Sequence, residues 1–441
     1  MKDAVATAAF HDSGARFDPP RCHPNTRVAV LNKIKDWVQR CDSETKDYSI
    51  MWLSGAAGAG KTAIGQSFIE QYLPHGLVLA SFFFGRSDDT RNHTGSLIAT
   101  LAYQIYLSVL EVQDQILAII DTDPLIFTRN LERQFTELLT KPLASIYSSG
   151  APQVSTFHRA IIIDGLDECL KKEERQQILR IISKSIRQSN LSIVFLIASR
   201  PETDIKFVFE SQDMKGIVTR LNLDDDYKPD DDIRRYLEES FKEIRATRDF
   251  APQTAGVWPD PRTIDSLVKK ASGQFIYAVT VVRYVNSNEH LPHHRLAIIM
   301  DLRPHHGDLP FAQLDAIYRM IFSSAKNLSR ALYALSIYSH RVFHGASPFD
   351  ISQFMSLEHG EIRVIFCDIW SLVALDEIPN GPSTVRFLHS SLHDFLLDPI
   401  RSEKYFLDID TYRTQHLENI FHYLTLALGE SSVCIPFPAF S

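Results

Sequence analysis

Two short stretches hold most of the residues that could do chemistry. The first is GAAGAGKT, residues 55–62, between the apolar run SIMWLS (49–54) and a helix-forming segment at 61–72. Gly55, Gly58 and Gly60 let the backbone curl so that the N–H groups of the loop, Ala56, Ala57 and Ala59 included, face inward. The next helix adds its unpaired N-terminal donors, among them that of Ala63. Such a loop holds phosphate oxygens without many side chains. Lys61 supplies a mobile positive charge between a β- and a γ-phosphate, and Thr62 a hydroxyl ligand for Mg2+. The eight residues satisfy the P-loop pattern, and both context requirements, a strand before and a helix after, are met.

The second stretch is AIIIDGLDE, residues 160–168, an apolar strand that runs directly into acidic residues. Asp164, at the strand's C-terminal end, is expected near Thr62, holding Mg2+ directly or through water. Gly165 lets the chain turn away, so that Asp167 and Glu168 come round towards the γ-phosphate. One of them can orient or deprotonate the attacking water, and Glu168 is the favoured choice. Capping of the following helix is a credible alternative for one of these residues but not a sufficient reason for all three. A third strand, LSIVFLIAS (191–199), ends in Arg200-Pro201-Glu202. Strand C-termini line the ligand crevice of a parallel sheet, which places Arg200 where it could sense the γ-phosphate, with a structural ion pair as the alternative. Arg86, just beyond LVLASFFF, is topologically similar and has weaker support.

The elements that must position these groups follow from hydrophobic patterning. Strands are predicted at 49–54, 77–84, 159–164, 191–199 and 216–223, and helices at 61–72, 93–108, 129–143, 172–189 and 202–210. Short apolar runs alternating with longer amphipathic ones predict a parallel sheet covered by helices. Ahead of it, residues 1–25 read as a mobile or surface-laid lead-in, and 26–40 as a helix that buries Val30, Ile34, Trp37 and Val38. After Leu223, helical patterns at 229–245, 261–270 and 274–287 predict a small helical domain. Asp230, Asp231 and Asp232 suit the dipole at its first helix N-terminus. His293, His294, His305 and His306 fall in a Pro-rich connection and read as surface histidines. From Phe311 to about Ile400, three or four helices surround two strand-like runs, 371–376 and 384–388, flanking the turn IPNGPS, a pattern that suits a winged helix. A last helix is expected at 412–430. The implied divisions are a lead-in and helix (1–46), a nucleotide-binding domain (47–223), a helical domain (224–305), a winged-helix-like domain (306–402) and the start of a further helical region (403–441).

A chain of 441 residues with 44 % hydrophobic content can build two or three domains. Its formal charge of -8 gives no general attraction for nucleic acid or anionic lipid, so neither is expected as a partner. The five cysteines, Cys22, Cys41, Cys169, Cys367 and Cys434, are odd in number and contain no CxxC pair. They argue for a reducing compartment and against a zinc module. With no signal-peptide pattern and no long apolar run, a cytoplasmic location is the default expectation.

Read together, WLSGAAGAGKT, IIIDGLDEC, LIASRPE and VRFLHSSLHDFLLD resemble the NACHT family of STAND signalling NTPases. The likeness is greatest to the NLR-like fungal sets that carry an RCHPNTR-like segment upstream of the P-loop, here Arg21 to Arg27, and it extends over residues 19–420. The resemblance implies an α/β P-loop core followed by helical and winged-helix domains. It also implies a module that binds ATP or ADP, with GTP as an alternative, together with Mg2+, resting closed on the diphosphate and opening to oligomerise. Lys61 and Thr62 match the family's phosphate-loop pair, Asp164 its magnesium aspartate, Asp167 and Glu168 its paired acids, and Arg200 its sensor arginine. His389 matches a winged-helix histidine that contacts the diphosphate of the closed form in related animal proteins. A buried, carbonyl-satisfied histidine is the plainer alternative. Where many members carry a Gly-Leu-Pro run beside the adenine, this chain has SGQFIYA (272–278), in which Phe275 or Ile276 offers apolar surface instead.

The implied function is a signalling switch of the kind used in innate immunity, in which slow hydrolysis resets a nucleotide-dependent assembly state. With no recognisable effector domain ahead of the core and no repeat array behind it, the chain reads as a core-only protein, a truncated gene product or a partner to a separate effector or sensor protein. Two other classes stand beside this one. A small-molecule kinase or fast motor ATPase should show a substrate lid or a pore, and neither is recognisable. A scaffold that never hydrolyses its nucleotide would not need the acidic pair after Asp164.

Overall fold

Five apolar runs form one parallel sheet in a computed structural model that describes residues 1–16, 19–86, 88–148, 158–189, 193–223, 227, 229–247, 258–286, 290–301, 311–339, 351–358, 360–377 and 383–430. The strands are β1 (Ile50–Ser54), β2 (Val78–Phe83), β3 (Arg159–Asp164), β4 (Ile193–Ser199) and β5 (Val218–Asn222). They lie in the order β2-β3-β4-β1-β5, all parallel. Every residue of β1, β2 and β4 is buried, Ser54, Ser81 and Ser199 included, as near-continuous apolar runs demand of a sheet covered on both faces. The order has a direct consequence for the site. Since β4 lies between β1 and β3, the chain segments leaving these three strands, with Gly55, Arg200 and Asp164, emerge side by side.

The helices of this layer are α1 (Val28–Val38), α2 (Lys61–Tyr72), α3 (Leu97–Ser108), α4 (Gln113–Thr122), α5 (Leu131–Phe135), α6 (Lys141–Ser148), α7 (Lys172–Gln188) and α8 (Thr203–Phe209). Two apolar clusters hold the sheet. One joins α1 and α2 to Met51, Leu53, Ile162 and Leu196; the other joins α3 to α8 with Trp52, Phe82, Ile161 and Phe195. The four residues expected on the buried face of α1, Val30, Ile34, Trp37 and Val38, are all within 1 % of full burial. Between α5 and α6 the chain widens into a π turn over Thr136–Thr140. Helix α4 lies outside the predicted helices although Ile116, Ile119 and Ile120 recur at helical spacing and pack on the core, Ile116 alone being fully buried.

The N-terminal segment departs from the expected mobile or surface-laid lead-in. Ala6 and Ala9 are buried at 3 % and 0 % exposure. The Ala6 N–H donates to Thr100 Oγ1 at 3.0 Å, and Phe10 stacks on Tyr103 with ring centroids 6.1 Å apart. Small side chains allow this backbone to lie close against α3, and the same small side chains leave no hydrophobic period to detect.

The chain divides into two compact units, Met1–Glu243 with Pro259–Ala278, and Ile244–Trp258 with Val279–Ser441. The first unit therefore takes in most of α9 (Pro229–Thr247), all of α10 (Pro261–Ala271) and the start of α11 (Phe275–Val285). In the second, α12 (Pro292–Asp301) occupies the stretch expected as a Pro-rich connection. Pro292 opens this helix at a position where its missing N–H costs nothing, so His293 and His294 are helical, while His305 and His306 lie outside the described residues. Further along are α13 (Ala312–Ser324), α14 (Leu328–Ser339), α15 (Ile351–Phe354), α16 (Glu361–Phe366), α17 (Ser390–Leu396), α18 (Pro399–Ser402) and α19 (Ile409–Glu430). The strand-like runs form an antiparallel pair, β6 (Val373–Glu377) and β7 (Ser383–Phe387), with Val373 opposite Phe387. Leu392, Phe395 and Leu396 are buried, and Phe387 and Leu388 half-buried. A bidentate pair, Arg401 on Asp315 at 2.8 and 3.1 Å, ties α18 to α13.

Candidate phosphate and metal site

The loop between β1 and α2 is shaped by two left-handed glycines, Gly58 (φ 79°) and Gly60 (φ 94°). At Gly58 there is a second constraint, since an added Cβ would lie 2.1 Å from Ile276 Cγ2. The Ile276 N–H also donates to the Gly58 carbonyl at 3.3 Å. The SGQFIYA segment thus packs directly on the loop, although it lacks a proline. Helix α2 begins at Lys61, immediately after Gly60, with no side-chain cap on its N-terminal N–H groups. A helix start of this kind suits an anion. Lys61 Nζ donates to the carbonyls of Gly55 (2.7 Å) and Ala56 (2.9 Å), which holds its ammonium over the loop.

Asp164 stands at the end of β3 and is 3 % exposed. Its Oδ1 has no hydrogen-bond partner, and the nearby Thr62 side chain helps hold the carboxyl down. That oxygen lies 3.6 Å from the position a Cβ would take on Gly65, so α2 passes close beside it. Burial pushes the Asp164 carboxyl up to about 6, against the opposing pull of Thr62, Arg16 and Lys61. A buried, unpaired carboxylate oxygen is expensive unless something binds it. A hard divalent cation that takes one carboxylate, one hydroxyl and phosphate oxygens fits this donor set.

Gly165 turns left-handed (φ 71°) and starts the short turn that carries Asp167 and Glu168. Asp167 is 2 % exposed. Its Oδ1 accepts the Arg200 backbone N–H at 3.0 Å and its Oδ2 lies 3.1 Å from Arg200 Nε. Arg200 is therefore in an ion pair with the acidic turn. Glu168 is differently placed. It is half-buried, accepts the Arg86 backbone N–H at 3.2 Å, and its carboxyl is raised above the usual range by burial and by the neighbouring Asp167. Arg86 also donates to the Asp167 carbonyl at 3.3 Å and stands 4.0 Å from Glu202.

Three arginines that the motif reading does not place at the site hold it together. Arg175 on α7 is buried, donates to the Asp167 carbonyl at 2.7 Å, and pairs with Glu202 just beyond Arg200. Its signal in the sequence is an arginine on the apolar stripe of Ile178, Leu179 and Ile182. Arg27 donates to the Ala59 carbonyl at 2.8 Å, and its guanidinium lies 4.8 Å from the Phe275 ring centroid. Its backbone N–H donates to Asp232, which gives one of the acidic residues of α9 a definite partner. Arg16 reaches Gln66 on α2 and no local pattern announces it.

His389 belongs to the second unit, where it is the N-cap of α17. Its Nδ1 accepts the Ser391 backbone N–H at 3.0 Å, which leaves Nε2 to carry the proton of the neutral ring. Ser391 Oγ in turn is 2.8 Å from the Tyr318 hydroxyl.

A strand, a GAAGAGKT loop and a helix beside a second strand that ends in Asp164 decide the class of this domain. The core is that of an α/β P-loop NTPase. Residues 28–200 of the P-loop core match the family model described as Nephrocystin 3, N-terminal, over less than half of the chain. No curated protein matches the chain. Among solved structures, the ORC1 protein of Aeropyrum pernix in complex with DNA is 16 % identical, with 88 % of this chain and 94 % of that one covered and a TM-score of 0.39. Drosophila ORC bound to DNA is 13 % identical, with 82 % and 92 % covered and a TM-score of 0.37. Cdc6p from Pyrobaculum aerophilum is 11 % identical, with 89 % and 97 % covered and a TM-score of 0.32. Similarities of this size do not extend to what the chain binds. Among the described residues, no helix is long and apolar enough to cross a membrane.

Proposed function

We propose that the chain is a nucleotide-dependent switch that binds ATP or ADP with Mg2+ and hydrolyses slowly. The observation that carries this reading is the buried Asp164 carboxylate beside α2, whose Oδ1 has no hydrogen-bond partner and lies 3.6 Å from where a Cβ on Gly65, three residues beyond Thr62, would stand. The loop N–H groups bind phosphate oxygens, and Lys61 neutralises their charge. Mg2+, when bound, draws negative charge from the β- and γ-phosphates. Thr62 and Asp164 are assigned as its ligands. Glu168 is assigned as the base that orients and accepts a proton from water, since both oxygens of Asp167 are engaged by Arg200. Asp167 is then a positioning residue, and Arg200 couples the end of β4 to the acidic turn, where loss of the γ-phosphate can be felt. Phe275 and Ile276, against the loop and Arg27, are suited to an apolar base edge.

A switch needs two states with different contacts to the diphosphate and triphosphate. The β6–β7 hairpin with its helices suits a winged-helix domain, and the Nε2 donor of His389 is the atom a diphosphate would require. Opening of that closed form, oligomerisation and engagement of a separate effector or sensor complete the reading. It is tested by denaturing the purified protein and separating the released nucleotide by chromatography. About one ADP per chain supports a slowly exchanging switch, whereas no retained nucleotide together with rapid turnover of added ATP would replace it with a turnover enzyme.

A further inference from the structure

The N-terminal segment grips the P-loop helix along its length. The Gln66 side chain donates to the His11 carbonyl at 2.9 Å and accepts from Arg16 Nη1 at 3.1 Å. The Ser67 hydroxyl accepts the Cys22 N–H at 2.8 Å, and Arg21 Nε donates to both oxygens of Glu70 at 2.8 and 2.9 Å. Arg16 does more than join this set. Its Nη1 also donates to the Phe10 carbonyl at 3.2 Å, and its Cζ lies 3.7 Å from the centroid of the Phe83 ring. Phe83 is the β2 residue paired in register with Asp164. Gln66 is one helical turn beyond Thr62, on the same face.

We propose that Arg16 is a positioning residue for the Thr62–Asp164 metal corner, fixing the P-loop helix against the strand pair that carries the aspartate. The inference rests on the nucleotide and Mg2+ reading above. Its geometry is a closed ring of contacts. Thr62 is followed one turn later by Gln66, which holds Arg16; the Arg16 Cζ lies over the Phe83 ring, Phe83 pairs in register with Asp164, and Asp164 faces α2 at Gly65, within the turn that joins Thr62 to Gln66. Opening this ring lets the Thr62–Gln66 face of α2 move away from β3, which separates the two ligands while the N–H groups of residues 56–60, ahead of the helix, stay in place. A planar group is required because one residue must stack on a ring and donate at its edge. Lysine keeps the charge but not that shape. At 9 % exposure Arg16 acts from within the protein, through Gln66 and Phe83 and through its charge on Asp164.

The test uses the full chain and a fluorescent ADP analogue, titrated once in Mg2+ and once in EDTA. The ratio of the two dissociation constants is the Mg2+ increment. Arg16→Ala is expected to shrink this increment about tenfold, in line with the loss of a residue supporting a metal ligand, with EDTA affinity changed by less than about twofold and Arg16→Lys intermediate. An unchanged increment, or an equal loss in both buffers, overturns the assignment. Should Arg16→Ala not fold, Phe83→Leu keeps an apolar core and is expected to shrink the increment severalfold; an unchanged increment there also overturns it. Amide exchange of the nucleotide-free protein supplies a readout independent of ligand. Faster exchange over residues 62–66 in Arg16→Ala supports the clamp, and wild-type rates overturn it. Failure of the wild-type protein to bind the analogue in either buffer would instead remove the nucleotide reading.

Discussion

Asp167 holds Arg200 by two contacts, one to its backbone N–H at 3.0 Å and one to its Nε at 3.1 Å. A carboxylate so engaged has little freedom to take a proton from water. It does have a structural task, because the pair joins β4 to the turn after β3. We expect Asp167→Ala to lower stability by about 1–3 kcal/mol, the cost of removing a buried acceptor from a backbone N–H and a charged donor, read by urea denaturation. A loss below about 0.5 kcal/mol, the level of an exposed pair, would contradict it.

Glu168 carries the chemistry in this reading. Glu168→Gln should leave nucleotide affinity within about threefold and reduce single-turnover hydrolysis by about 100-fold or more. If Asp167→Asn alone stops hydrolysis while Glu168→Gln does not, the base is Asp167. The raised Glu168 carboxyl also sets a pH direction. A base must be ionised, so the hydrolysis rate should fall as pH drops through its folded value, which lies above the ordinary 4.5. The comparison is a rate profile of the wild type over pH 5–8.

Asp164 gives a stability prediction with a definite sign. Its folded value of about 6 exceeds the ordinary 3.8, so between these two the folded state binds the proton more readily than the unfolded chain. Stability of the nucleotide-free protein is therefore reduced above about pH 6 and recovered as pH falls towards 4. Asp164→Asn removes this dependence. Relative to that variant, the wild type should gain about 1 kcal/mol from pH 7 to pH 5, and parallel urea curves at the two pH values would count against it. The same variant should lose the Mg2+ increment in nucleotide affinity.

At the loop, Gly58→Ala meets both a left-handed backbone and Ile276 at 2.1 Å. We expect a loss of nucleotide affinity of about tenfold or more, since a strained residue costs on the order of 1–3 kcal/mol. Lys61→Ala should be more severe, about 100-fold, through the missing charge. Isothermal titration with ADP ranks the two, and unchanged binding by Lys61→Ala would sink its assignment.

His389 has two separable jobs. Its Nδ1 caps α17, a task that asparagine performs equally well. Its Nε2 is the proposed diphosphate donor. His389→Asn should therefore keep stability within about 0.5 kcal/mol and still speed ADP release in stopped-flow exchange. Faster release in His389→Ala but not in His389→Asn assigns the residue to the cap alone.

Much of the core was legible because its information is local. A glycine loop between a buried strand and a helix is fixed by backbone conformations that few residues allow, and all five strands of the sheet lie within the predicted runs. Helix α4 was missed although Ile116, Ile119 and Ile120 mark one face of it, and α12 because its prolines read as a connection when one of them starts the helix. The pairing of Asp167 with Arg200, 33 residues apart, follows from β4 lying between β1 and β3, and strand order is not written in any one strand.

The sequence by itself determined the phosphate loop, the acidic strand end and the alternation of strands with helices, since each depends on neighbours within a few residues. Long-range packing sets the rest: Asp167 binds Arg200, Ile276 rests on Gly58, and Arg16 links Gln66 to Phe83. These contacts join segments from 33 to 218 residues apart. Their energies come from burial and geometry that arise only once the sheet has closed and the helices have covered it.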